Sequence, residues 1–229
     1  MKVGLYAIVD VDACAAGGHS PLAVASGALE GGAIALQLRA KRLETRPFLS
    51  LASEMAALSE GYGVPFFVND RLDIALAAGA GLHIGQDDLP VAVVRFLAPT
   101  LALGVSTHTR EELEAARDAR PDYVAFGPVF PTASKEHAEP VVGLAQLAEI
   151  AKLVGDLPLV AIGGISAARV ADVRAAGATL VAAIAGLLPP SSSAAAVGVS
   201  SAASATDLAF TISAVAERAR AYDRAARAS

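Results

Sequence analysis

The chain has 229 residues, 54% hydrophobic and 18% charged, and its 23 acidic against 18 basic side chains leave a net charge of −5. That composition excludes intrinsic disorder, and without any block of five or six like charges it offers no electrostatic footprint for nucleic acid or an anionic membrane. The length fits a single domain, because parallel α/β barrels commonly run somewhat over ~200 residues as one unit.

Taken in chain order, Lys2 and seven uncharged residues precede Asp10 and Asp12, a stretch too short and too soon interrupted for a usual signal peptide. Short β-branched and aliphatic runs then alternate with Ala-rich stretches of helical spacing. The runs are Leu5–Val9, Ile34–Arg39, Pro65–Val68, Leu82–Ile84, Ala102–Val105, Tyr123–Phe126, Leu159–Ile162 and Leu180–Ala183. Strands buried on both faces read as near-continuous apolar runs, and eight strand–helix units predict an α/β fold, a single-domain (β/α)8 TIM barrel. A doubly wound open sheet is the competing fold. Ser106 or Thr107 is expected to cap a helix over Glu111–Ala119, and Ser166 a helix over Ala167–Ala176 that Gly177 ends. Residues 1–188 are expected to form the barrel, the Ser/Ala-rich segment 189–206 a flexible loop, and residues 207–229 a closing helix of the same domain. The longest apolar run, Ala178–Leu188, is about half of the ~20 residues that span a bilayer. Cys14 is the only cysteine, which excludes an intramolecular disulfide and a CxxC pair and points to a reducing compartment. A cytoplasmic protein is expected.

In such a barrel the chemistry lies at the C-terminal ends of the strands. Gln37, Arg39 and Lys41 alternate with Leu36, Leu38 and Ala40, and the two-residue period of a strand puts an amide and two cations on one face. An inward basic row implies an anionic, phosphorylated ligand; the competing reading is a solvated edge. The third strand ends in Asn69–Asp70–Arg71 and the fourth in Gly85–Gln86–Asp87–Asp88, so carboxylates reach the same rim. Hard oxygen ligands on neighbouring strand ends suit a Mg2+ that bridges to a diphosphate; the alternative is that these aspartates start the next helices. Arg71 is read as a structural ion-pair partner. The sixth loop, from Gly127 to Lys135, brings Thr132, Ser134 and Lys135 onto a Pro-punctuated backbone suited to closing over phosphate. The seventh strand runs into Gly163–Gly164–Ile165–Ser166, where a helix start would receive a second phosphate. His83 lies within the fourth strand and His108 follows the fifth, but no HExxH, Walker A or GxGxxG pattern is present, so zinc, NTPase and dinucleotide chemistry lack support.

The stretches QLRAK at 37–41, VNDRLDIALAAGAGLHIGQDDLP at 68–90, LGVSTHT at 103–109, YVAFGPVFPTASK at 123–135 and AIGGIS at 161–166 resemble the thiamine-phosphate synthase family, over residues 5 to about 188. The resemblance implies a Mg2+-dependent transferase of two small-molecule substrates, acting without nucleic acid or membrane. It would join 4-amino-2-methyl-5-hydroxymethylpyrimidine diphosphate to thiazole phosphate, or its carboxylate, through a carbocation left when the diphosphate departs. It further implies Asp70 and Asp88 as Mg2+ ligands and Arg39, Lys41, Asn69, Ser106 and Lys135 around the diphosphate. Gln37 would hold the pyrimidine, with Tyr6 and His83 near its ring. Thr132, Ser134 and Gly164, with the backbone at Ile184 and Ala185, would hold the thiazole phosphate. The chain departs from the family in carrying Ala185 where a serine is usual, and in its long Ser/Ala tract. Two other readings stand beside this one. A thiazole tautomerase-like isomerase of the same superfamily usually lacks the paired aspartates and has a histidine where this chain has Pro128. A non-catalytic phosphate-ligand binding protein would be favoured by the missing serine.

Overall fold

The eight apolar runs close on one another in a computed structural model of the chain, which describes residues 3–132, 140–190 and 204–228. The strands are β1 (Gly4–Asp10), β2 (Ala35–Arg39), β3 (Phe66–Asn69), β4 (Gly81–Ile84), β5 (Leu103–Thr107), β6 (Tyr123–Phe126), β7 (Leu159–Ala161) and β8 (Leu180–Ala183). Each pairs in parallel with its sequence neighbours, and β8 returns to β1 to complete a closed barrel, so the open-sheet alternative falls away. Around it lie α1 (Val11–Gly17), α2 (Pro21–Glu30), α3 (Thr45–Tyr62), α4 (Leu72–Ala78), α5 (Val91–Leu97), α6 (Arg110–Asp118), α7 (Gly143–Leu153), α8 (Val170–Ala175) and α9 (Ala205–Arg227). None of the described helices is long and apolar enough to cross a membrane.

Two details differ from the sequence reading. Ser106 and Thr107 are not helix caps: β5 runs two residues further, Ser106 pairs with Ala125 and Thr107 with Phe126, and the cap of α6 is Thr109, whose side chain accepts from Glu112 N at 3.2 Å. The stretch after Ser166 is a 3-10 turn, Ala167–Arg169, before the shorter α8, and the Ser166 side chain makes no capping bond. Thr109, one residue from its helix, satisfies an otherwise unpaired N–H there, which the earlier hydroxyls are too far back to do. The expected 189–206 loop lies mostly outside the described residues. Its last residues open α9, which starts two residues earlier than expected, behind a capping box between Ser204 and Asp207.

The alternation of strand side chains sorts the core into two layers. One set, including Leu5, Val9, Leu36, Leu38, Val68 and Leu82, packs outward against the helices. The other set fills the barrel: Tyr6, Ile8, Ala35, Phe67, Tyr123, Ala125, Val160 and Ala182. The three inner aromatic rings meet edge-on or tilted, with centroids 5.2–5.9 Å apart. Their bulk is admitted by glycines on neighbouring strands. A Cβ at Gly81 would come within 2.6 Å of the Phe67 ring, and one at Gly104 within 1.9 Å of the Tyr123 ring. Helix α9 packs chiefly on α2, and its buried Tyr222 donates a hydrogen bond to the Ile165 carbonyl at 2.8 Å, which ties the closing helix to the loop after β7.

Gly104→Ala should therefore overpack the interior at a cost of about 1–3 kcal/mol. Its melting temperature should fall by several degrees, whereas an alanine at exposed Gly61, where nothing lies within 4 Å, should leave melting nearly unchanged. Equal melting of the two variants would contradict the account of the inner layer.

Candidate active site

The inward positions turn polar as the strands rise toward their C-terminal ends. Just above the aromatic layer a hydrogen-bonded chain crosses the barrel. The Tyr6 and Tyr123 hydroxyls share a bond of 2.6 Å, Tyr123 Oη and His83 Nδ1 lie 2.8 Å apart, and His83 Nε2 and Ser106 Oγ lie 2.9 Å apart. The His83 and Tyr123 rings stack at 5.6 Å. All four residues are buried. Burial raises the pKa of both tyrosines well above the ordinary value, so their hydroxyls stay neutral and act as fixed dipoles.

On the β1–β4 side the rim is charged. Gln37 is buried and donates to Asn69 Oδ1 at 2.7 Å, so two neighbouring strands fix one amide pair. Arg39 pairs with Asp10 across the β1–β2 ladder, where the two residues are in register. The second oxygen of Asp10 caps α1 through Ala13 N at 2.8 Å. Lys41, half exposed, reaches Asp70 at 2.5 Å. Asp70 sits at φ 65°, its N–H donating to the His83 carbonyl at 2.8 Å; it does not cap α4, whose N-cap is Arg71. Asp88 accepts from Gly85 N at 2.7 Å, and Pro90 is the N-cap of α5, so neither Asp87 nor Asp88 starts that helix. Burial pushes the Asp70 carboxyl above the usual carboxylate range; the Lys41 ammonium opposes this, and the adjoining Asp88 carboxyl adds to it. Arg71 turns away to Asp73, at 2.6 Å, as a structural pair.

On the β6–β8 side the rim opens into a cavity of about 370 Å³. Its walls include Thr132, Gly164, Ser166, Ile184, Ala185 and His108. Gly163 and Gly164 sit at φ 100° and 60°, and a Cβ on either would come within 2.4 Å of the sixth loop, at Pro128 and Pro131. The close approach is held by Val129 N donating to the Ile162 carbonyl at 2.9 Å and Phe130 N to the Gly163 carbonyl at 3.0 Å. Arg169 stacks its guanidinium 4.3 Å from the Phe130 ring centre and donates to the Gly164 carbonyl at 2.9 Å, bracing the turn from outside. Ala185 is exposed at the mouth and opens a 3-10 turn, Ala185–Leu187.

The sequence-derived residues thus gather at one rim: Gln37, Arg39, Lys41, Asn69, Asp70, Asp88 and Ser106 on one side, Thr132, Gly164, Ile184 and Ala185 on the other. Ser134 and Lys135 lie outside the described residues. Tyr6 is at the floor, beneath the rim. Sequence reasoning missed Asp10, which positions Arg39, and Tyr123, which links Tyr6 to His83. It also missed Gln86, whose amide donates to the Ser106 carbonyl at 2.5 Å. His108 has no role in the sequence reading; its Nδ1 lies 2.5 Å from the Gly127 carbonyl at the cavity wall. Strand parity could have found Tyr123, which is two residues before inward Ala125.

Comparison with known proteins bears on this arrangement. A family model described as thiamine monophosphate synthase matches residues 5–187. A thiamine-phosphate synthase of Roseiflexus sp. (strain RS-1) is 44% identical over 182 residues, covering 79% of this chain and 77% of that protein. One of Methanospirillum hungatei JF-1 is 43% identical over 190 residues, covering 82% of this chain and 91% of that protein. Among solved structures, a thiamine phosphate pyrophosphorylase from Pyrococcus furiosus superposes with a TM-score of 0.74 at 30% identity, covering 95% of each chain. The chain, a closed parallel barrel with a charged half-rim facing a glycine-turned cavity, belongs to the thiamine monophosphate synthase family.

Proposed function

We propose that the chain joins 4-amino-2-methyl-5-hydroxymethylpyrimidine diphosphate to thiazole phosphate, or to its carboxylate with loss of CO2, giving thiamine phosphate and diphosphate. The observation that carries this reading is the division of one rim into two compartments, cations with carboxylates on the β1–β4 side and a largely apolar, glycine-turned cavity on the β6–β8 side. Two phosphorylated substrates that must meet head to head need such a pair of sites around one centre.

In this reading Arg39 and Lys41, with Lys135, Asn69 and Ser106, receive the diphosphate, and Gln37, fixed by Asn69, orients the pyrimidine above the floor of Tyr6, Tyr123 and His83. The C–O bond breaks with its electron pair going to the diphosphate, which gains charge beside cations already in place. The aminopyrimidine delocalises the resulting carbocation, and the thiazole nitrogen forms the new C–N bond with its lone pair. No side-chain nucleophile is required: the residues position the two partners and stabilise the leaving charge. Thr132, Ser134 and the backbone at Gly164, Ile184 and Ala185 hold the thiazole phosphate.

The donor set fits Mg2+. That ion keeps several waters and takes one or two carboxylates along with substrate phosphates, and Asp70 and Asp88 are two adjoining carboxylates at the diphosphate end. Among the described residues no group of three His, Cys, Asp or Glu could hold a metal by protein alone, which leaves substrate oxygens to complete the set. When bound, Mg2+ supplies neutralising charge at the diphosphate. The one cysteine, Cys14, is buried, and burial pushes its thiol up to about 12, so it stays protonated and is no nucleophile for this reaction.

Purified protein mixed with Mg2+, the pyrimidine diphosphate and thiazole phosphate should yield thiamine phosphate by mass; tautomerised thiazole alone would favour the isomerase reading. Asp88→Ala and Lys135→Ala should each slow diphosphate release by roughly 10²-fold or more, with unchanged circular dichroism, and full turnover in either would contradict the assignment. Ala185→Ser, which returns a hydroxyl to the cavity mouth, should lower KM for thiazole phosphate about two- to tenfold at unchanged kcat.

The raised Asp70 pKa has a definite sign. The folded chain holds that proton more tightly than the unfolded one, so the associated stability is full below the unfolded value of about 3.9 and is lost as pH rises through the raised folded value. In metal-free protein, Asp70→Asn, which tolerates the positive φ, should therefore gain stability relative to the parent as pH goes from about 4 to 7. A pH-independent difference in chemical denaturation would refute the electrostatic account.

A further inference from the structure

Helix α9 closes the ring of helices, and its buried side is built mostly from small residues. Thr211, Val215, Ala219, Tyr222 and Ala226 recur there at helical spacing, and Tyr222 is the one aromatic in the row. The small residues let two backbones approach closely. A Cβ at Gly27 of α2 would come within 2.5 Å of the Ile212 carbonyl, and one at Gly31, just past α2, would overlap the Ala219 methyl. So tight a seam leaves α9 little room to slide, and it delivers the Tyr222 side chain to a fixed place. An apolar ring would fill the space between helix and barrel equally well, so the phenol at its tip needs its own explanation.

That hydroxyl stands between two turns. It donates to the Ile165 carbonyl at 2.8 Å, at the end of the Gly163–Gly164 turn after β7. Burial pushes the phenol above its ordinary pKa, which keeps the donated proton on it. On its other side lies the 3-10 turn after β8, where a Cβ at Gly186 would overlap the Tyr222 hydroxyl oxygen and come within 3.1 Å of the ring carbon that bears it. Gly186 has no positive φ, so its backbone does not call for glycine; the hydroxyl does. Both turns line the cavity on the β6–β8 side, and among the described residues of its wall Tyr222 alone comes from α9.

We propose that Tyr222 is a positioning residue for thiazole phosphate, its hydroxyl setting the distance between the Gly163–Ile165 turn and the Ala185–Leu187 turn that together hold the phosphate. This rests on the reading of the cavity given above. A ligand held by backbone depends on where two loops stand relative to each other, because backbone cannot swing toward it as a long side chain can. The closing helix thereby becomes part of the site: α2 clamps α9, α9 places Tyr222, and Tyr222 spaces the two turns. The charged β1–β4 side has no link in this series, so the diphosphate end should not sense it.

Steady-state kinetics of the full chain with Mg2+, pyrimidine diphosphate and thiazole phosphate test this. Tyr222→Phe keeps the ring and removes only the hydroxyl; it should raise KM for thiazole phosphate about three- to tenfold, with kcat and KM for the pyrimidine diphosphate within about twofold of the parent. Gly186→Ala should raise the same KM by roughly tenfold or more, since its methyl meets the hydroxyl. Combining the two changes removes the oxygen that the methyl meets, so the double variant should have a lower KM for thiazole phosphate than Gly186→Ala alone. Where Gly186→Ala does not fold, Tyr222→Phe carries the test by itself. An unchanged KM for thiazole phosphate in Tyr222→Phe, or an equal rise for both substrates, would make Tyr222 a packing residue only and overturn the proposal. A folded double variant no better than Gly186→Ala would overturn it too. A parent that forms no product from thiazole phosphate would instead refute the reading of the cavity, and this inference with it.

Discussion

A closed barrel has a single interior, and every inward side chain of all eight strands competes for it. That constraint governs the rest of the molecule. Tyr6, Phe67 and Tyr123 fill the lower interior only because Gly81 and Gly104 vacate the space beside them. Once the aromatics are set at that depth, the tyrosine hydroxyls are buried and must find partners, since an unpaired buried hydroxyl carries a desolvation cost of about 1–3 kcal/mol. They find each other and His83, and His83 passes the chain to Ser106. The floor of the site is thus the top of the core, and its polarity follows from how the core is filled.

The rim above obeys a second rule, that a cation near a low-dielectric interior is held by an opposite charge. Arg39 has Asp10, and Lys41 has Asp70. These pairs fix the two cations at the rim, Arg39 partly buried and Lys41 half exposed, so little reorganisation would be needed when an anion binds. The pairing is uneven. Asp70 also adjoins Asp88, and its raised pKa marks a carboxylate with more negative neighbours and less water than it would choose. A divalent cation would resolve that excess, whereas Lys41 alone resolves only part of it. The β6–β8 side carries no such charge among its described residues. Its form is set by packing instead, through a turn so tight against the sixth loop that Gly163 and Gly164 cannot carry side chains.

Much of this was legible in the sequence because the signals are local. Doubly buried strands announce themselves as apolar runs, and a period of two put Gln37 and Arg39 on one face without reference to any other strand. Asp70 and Asp88 were legible as polar residues at the ends of such runs. What escaped depends on pairing between strands. Asp10 reads as an interruption of an apolar leader until β1 and β2 are registered and it falls opposite Arg39. Tyr123 reads as an ordinary core aromatic until His83 and Tyr6 are brought to its hydroxyl. Ser106 and Thr107 mimic a helix cap because hydroxyls serve both purposes; only the ladder to β6 keeps them in the strand.

The central claim is that one rim holds two separable sites, and equilibrium binding tests it most directly. Isothermal titration of the parent and of Asp88→Ala with Mg2+ and pyrimidine diphosphate, and separately with thiazole phosphate, reads each site on its own. The account predicts that Asp88→Ala loses affinity for the diphosphate by roughly 10²-fold while binding thiazole phosphate within about twofold of the parent. Equal loss of both ligands in a folded variant would show a single undivided site and contradict it.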